Sequence, residues 1–244
     1  MVNMMIFSSI VFSSLCTTIG ALPVFFIKNV THKGKDILLA YTAGIMVAAS
    51  AYGLIPSAIK LSNVFVLIVG VLVGTFVLTL LESTLPHVDL QNNLSLETKS
   101  SFFLFFIAMS LHNLPEGLSV GISYAGGATD LAPVVAFAIG LQNIPEGFLI
   151  ALFLMTQNVS PFKATMLASL TACVELIAAL VGVLFGQSFA FIIPYGLAFA
   201  AGSMLFIVYK ELIPESHGDG NERVSTLSFI LGFLMMVSFT HFLR

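Results

Sequence analysis

Long apolar runs, broken at short intervals by charged, Gly-rich or Pro-rich stretches, dominate this chain. Cutting at those breaks predicts eight membrane-spanning helices, near 5–27, 37–59, 63–81, 100–124, 131–155, 163–186, 189–209 and 224–243. Each has close to the roughly 20 apolar residues that a helix needs to cross a hydrocarbon core about 30 Å thick. A helix is the expected element because lipid offers the backbone no hydrogen-bond partner, and a helix satisfies its own. The connections are short, the longest being 82–99 and 210–223. The pattern predicts an all-α polytopic membrane protein, with residues 1–244 forming a single transmembrane domain. The first stretch, Met1 to Ile27, lacks a positive leading region and is longer than a signal core, so it is read as a retained span.

Orientation follows from the basic residues, which favour the cytoplasmic side. With the N-terminus outside, Lys28, Lys33, Lys35, Lys99, Lys163, Lys210 and Arg223 fall in inner connections, leaving Lys60 and Arg244 outside. Seven of the nine basic residues are then inside, which predicts both termini outside. An internal repeat accompanies this topology. The second span reads Ala43-Gly44-x-Met46 and then Leu54-Ile55-Pro56, and the seventh reads Ala201-Gly202-x-Met204 and then Leu212-Ile213-Pro214 at the same spacing. An odd number of crossings separates the copies, so they run in opposite directions through the bilayer, the mark of an inverted repeat.

Composition sharpens the class. Hydrophobic residues make up 58% of the chain and charged ones 9%, with a mean hydropathy of +1.04, far outside the range of soluble domains. A net charge of −3 and the lack of any basic run leave no footprint for nucleic acid. Cys16 and Cys173 have no CxxC spacing and are expected to be small buried packing residues rather than a disulfide. Met46 and Met204 are likewise expected to pack rather than ligate.

The chemistry lies in mid-span. The fourth span carries His112-Asn113-Leu114-Pro115-Glu116-Gly117, the fifth carries Gln142-Asn143-Ile144-Pro145-Glu146-Gly147, and the sixth contributes Glu175 among apolar neighbours. Ionisable groups at the bilayer centre cost at least about 2.5–3.5 kcal/mol each on insertion scales. No lysine or arginine lies near the middle of any span to pair with Glu116, Glu146 or Glu175. Either these acids are protonated, or a cation occupies the space between them. His112 and Glu116 are four apart and Asn113 and Glu116 three apart, so they share a helix face, as do Gln142, Asn143 and Glu146. Pro115 and Pro145 each remove a backbone donor and are expected to kink their helices, while Gly117 and Gly147 allow close approach. Imidazole, carboxylate and amide oxygen together suit borderline divalent ions such as zinc, iron, manganese or cadmium. Nothing calls for a prosthetic group.

These paired motifs resemble those of the ZIP (Zrt/Irt-like protein) family, and the chain resembles its compact bacterial members over its whole length, including the ELIPESH-like stretch Glu211 to His217. The resemblance implies a cell-membrane transporter that moves divalent metal ions into the cytoplasm, zinc first and also iron, manganese or cadmium. It implies a two-metal centre: His112, Glu116, Gln142 and Glu146 for one ion, and Asn113, Glu116, Asn143, Glu146 and Glu175 for the other. It also implies a homodimer and an elevator-like movement of spans one, four, five and six against the rest. Many members have histidine where Gln142 stands or aspartate where Asn143 stands, so lower affinity is expected here. The loop after the third span holds only His87, which argues against a metal-sensing loop, and Lys210 stands where an exit-path ligand is expected.

Other readings remain open on the sequence. His112 has a structural alternative as an interhelical hydrogen-bonding group, Glu175 as a protonated acid, and Asn113 and Asn143 as interhelical glue. Glu211, Glu215 and His217 lie at the predicted inner surface, where solvated charge is ordinary and metal exit is the sharper alternative. For the whole chain, the competing function is a proton-coupled secondary transporter of another small cargo. An enzyme is disfavoured, since HExxH is absent and no nucleophile–base pair stands out.

Overall fold

The structure, a computed structural model, describes residues 4–27, 30–84, 99–125, 131–218 and 220–242. These residues are helical, with no strand among them. The first span is α1 (Met4–Ala21) with a 3₁₀ turn at Leu22–Phe25. The second is α2 (His32–Ala49), a π-helical segment (Ser50–Leu54) and α3 (Ile55–Leu61). Then come α4 (Val64–Thr84), α5 (Lys99–Ala125), α6 (Leu131–Thr156) and α7 (Pro161–Ser188). After a 3₁₀ turn, the seventh span is α8 (Ile193–Ile207), a second π-helical segment (Val208–Leu212) and α9 (Ile213–Ser216), and α10 (Glu222–Phe242) is the eighth. Seven of these spans are long and apolar enough to cross a membrane, and α5, which carries the HNLPEG motif, is 27 residues long. The molecule is a multi-pass membrane protein.

Local chemistry sets the ends. The Thr31 hydroxyl accepts from the Gly34 amide at 3.1 Å and caps α2, and Asn63 Oδ1 accepts from the amides of Phe65 and Val66 at the start of α4. Pro161 opens α7, where its missing N–H costs nothing. The π-helical segments also have a proline cause. Pro56 and Pro214 lie just beyond them and would clash with the carbonyls of Tyr52 and Lys210 in a regular helix. Widening the turn by one residue removes that conflict and lets each span continue. The seventh span therefore runs on to Ser216 rather than ending near 209, which places Glu211 and Glu215 in helical backbone instead of a loop.

The inverted repeat is written into the packing. A Cβ on Gly44 of α2 would collide with the Phe229 carbonyl of α10, and one on Gly202 of α8 with the Val71 carbonyl of α4. Gly232 meets the Tyr41 carbonyl and Gly74 meets the Phe199 carbonyl. Every one of these residues lies 158 positions from its counterpart (202 − 44, 229 − 71, 232 − 74, 199 − 41), and the two π-helical segments share that offset. Glycine at the contact lets backbones approach where lipid supplies no hydrophobic drive between helices. The result is a layer in which α2 packs on α10 and α4 on α8, beside a group in which α5 packs on α7 and α1 on both α6 and α7.

Met46, Leu54, Val120, Ile139, Leu197 and Met204 are buried between the two groups, so both named methionines do pack in the core. Phe65, Ile68, Leu72 and Phe76 of α4 are exposed, as expected of a helix facing lipid. Cys16 is buried but Cys173 is exposed, which corrects the expectation of two packed cysteines: position 173 lies on the face of α7 turned away from its helix neighbours. The expectation for the loop around His87 lies outside the described residues.

Candidate metal centre

The mid-span motifs meet where α5, α6, α7 and α1 come together. A Cβ on Gly117 would strike the Glu175 carbonyl, and one on Gly147 the Thr17 carbonyl. The glycine that ends each motif thus presses α5 against α7 and α6 against α1, and this brings the three carboxylates to one depth. Asn113, Glu116, Gln142 and Asn143 are completely buried, Glu175 almost so, His112 is 8% exposed and Glu146 is half-buried.

Amides cap the acids. Gln142 Nε2 donates to Glu116 Oε1 across the α5–α6 contact. Asn143 Nδ2 donates to Glu175 Oε2 at 2.8 Å, and the Ser13 hydroxyl donates to Glu175 Oε1 at 2.8 Å. Asn113 turns its amide nitrogen back to the Met109 carbonyl at 2.9 Å. His112 Nε2 stands 2.8 Å from Glu211 Oε2 of the seventh span.

Among the side chains of the two motifs, five buried oxygens have no hydrogen-bond partner: Asn113 Oδ1, Glu116 Oε2, Gln142 Oε1, Asn143 Oδ1 and Glu146 Oε1. Buried polar atoms are normally satisfied, and five unpaired acceptors from two facing helices form an electron-rich lining. Among the described residues, no three His, Cys, Asp or Glu side chains are grouped to hold a metal by themselves. The donors that converge are carboxylates interleaved with amide oxygens, a set that a divalent cation satisfies.

One side of this cluster is open. A narrow cleft of about 60 Å³ runs from His112 and Glu146, past Met46 and Phe153, to Glu211 and Glu215. On the opposite side, Leu54, Val134, Val135, Ala138, Ile139 and Met204 pack around a small apolar pocket. His217 is not in the cleft lining, and its Nδ1 engages the Ile213 carbonyl at 2.8 Å.

All seven residues singled out in the sequence fall in or beside this cluster. Ser13 escaped sequence reasoning, giving only a weak sign, a hydroxyl among Ser14 and Thr17 in an apolar span. Glu211 was expected at the inner surface, with metal exit as the sharper alternative to solvated charge, because the span was expected to end before it.

The wider comparisons agree with the motifs. The family described as ZIP zinc transporter matches residues 83–240. The zinc transporter GufA of Myxococcus xanthus is 36% identical over 231 residues, covering 90% of this chain and 91% of that protein. The zinc transporter ZIPB of Bordetella bronchiseptica is 30% identical, covering 91% of this chain and 75% of that protein. The zinc transporter ZupT of Streptococcus mutans is 25% identical over 92% of both chains. Motifs, inverted repeat and full-length similarity point the same way: this chain belongs to the ZIP zinc transporter family.

Proposed function

We propose that the chain carries divalent transition-metal ions, zinc foremost and iron, manganese or cadmium as further cargo, across the cell membrane into the cytoplasm. The observation that carries this reading is the five partnerless buried oxygens beside three mid-membrane glutamates that have no lysine or arginine among them. A dehydrated divalent ion supplies what that lining lacks, a positive partner, and His112 adds a nitrogen ligand. His112, Glu116, Gln142 and Glu146 form one site in this proposal; Asn113, Glu116, Asn143, Glu146 and Glu175 form the second. The metal is cargo, so the chain acts as a transporter and not as an enzyme.

The position of the cleft supports the inward direction. It opens at the ends of helices whose connections hold most of the basic residues, the cytoplasmic side under the charge rule, with both termini outside. Glu211 and Glu215 then line the exit. Return to the outside needs the apolar packing around Val134 and Met204 to part. Sliding of α1, α5, α6 and α7 against α2, α4, α8 and α10 achieves this without disturbing the glycine contacts inside either group. A homodimer that holds the second group still in the bilayer completes the proposal.

Radiolabelled zinc uptake into proteoliposomes tests the reading. Saturable uptake is expected from the parent chain and none from Glu116→Ala or Glu146→Ala. Undiminished uptake by both variants refutes the site. Uptake of another cargo that needs a proton gradient and survives loss of His112 favours the proton-coupled alternative instead.

A further inference from the structure

Ser13 lies on α1, a helix that carries none of the motif residues, yet it touches two of the cluster's side chains and is completely buried. Its hydroxyl donates to Glu175 Oε1 at 2.8 Å. Its backbone carbonyl accepts from Asn143 Nδ2 at 3.1 Å, and that same nitrogen donates to Glu175 Oε2 at 2.8 Å. A carboxamide nitrogen has two hydrogens, and here both are engaged. The amide of Asn143 can therefore sit only one way round. Turning it over would set its oxygen against the Ser13 carbonyl, two acceptors with no hydrogen between them. Its oxygen is left on the opposite edge, buried and without a hydrogen-bond partner.

We propose that Ser13 is a positioning residue of the cation site, holding Glu175 and Asn143 so that Asn143 presents its oxygen, and never its NH₂, to the ion. This rests on the transport reading above. Ser13 does not touch the ion. It acts through the two side chains it orients, as outer partners of metal ligands do elsewhere. It also makes α1 part of the site's geometry, so α1 must move with α6 and α7 whenever the site moves.

The test is saturable zinc uptake by the full-length protein in proteoliposomes, resolved into KM and kcat. Ser13→Ala removes the tether to Glu175 and is expected to raise the KM for zinc about tenfold, the lower end of what loss of such a partner costs. Ser13→Thr keeps the hydroxyl and is expected to restore the parent KM. Thr165→Val on α7 removes another hydroxyl that has no hydrogen-bond partner and is expected to leave KM unchanged. A purely structural role for Ser13 lowers the amount of active protein and leaves the KM of the remainder alone. If Ser13→Ala does not fold, Ser13→Cys, a weaker donor of similar size, is expected to raise KM in the same direction. A parent-like KM in whichever of these two variants folds overturns the inference while the parent still transports zinc. Absence of zinc uptake by the parent protein overturns this inference and the transport reading together.

Discussion

His112 on α5 and Glu211 on the π-helical segment of the seventh span meet through Nε2 and Oε2 at 2.8 Å, joining the HNLPEG motif to the opposite layer of helices. This contact crosses the boundary between the two helix groups, at the head of the open cleft. A carboxylate in that position orients the imidazole.

Glu211→Ala frees the ring. Zinc uptake is expected to fall by about tenfold, with most of the loss in KM, as for other partners of ligating histidines. Uptake kinetics in proteoliposomes check it, and parent-like kinetics would assign Glu211 to the surface role that the sequence suggested.

Close approach at the motif glycines is the second target. Gly117→Ala and Gly147→Ala each place a methyl against a carbonyl oxygen, of Glu175 and Thr17 respectively. Each is expected to destabilise the folded protein by about 1–3 kcal/mol, the usual cost of overpacking. The loss appears as earlier thermal unfolding in detergent, and zinc affinity weakens with it because the carboxylates are spread apart.

The π-helical segment that holds Glu211 exists because Pro214 cannot be accommodated in a regular turn. Pro214→Ala restores a donor and allows the segment to tighten to α-helix, which rotates Glu211 away from His112. Uptake is expected to fall while thermal stability holds or rises. Uptake and melting measured on one preparation separate this from a general loss of folding.

Accessibility reports the conformation. In a background with Cys16 and Cys173 replaced by alanine, a cysteine at Phe153 lines the open cleft and one at Val135 lies in the apolar seal. A membrane-impermeant maleimide is expected to label Phe153→Cys from the Lys-rich side and to leave Val135→Cys unmodified. Labelling in the reverse pattern would mean that the seal and the opening have been assigned to the wrong sides.

Much of this was already legible along the chain. Apolar run length pointed to eight helices, since the runs are too long for barrel strands and a helix satisfies its own backbone in lipid. The HNLPEG and QNIPEG motifs with Glu175 stood out because buried acids without basic neighbours demand compensation, and that demand is visible in one dimension. The repeat was legible as matched glycines and prolines in spans two and seven. Tertiary structure decided the rest. Ser13 and Glu211 join the site across sequence separations of 162 and 99 positions (175 − 13, 211 − 112), and no local pattern encodes which helices become neighbours. The way round of an amide depends on which acceptors surround its nitrogen, so Asn143 read as a ligand in sequence and became a fixed oxygen donor only once α1 lay beside it. The open and sealed ends of the site likewise belong to packing between two helix groups, because the same residues permit more than one relative position of those groups.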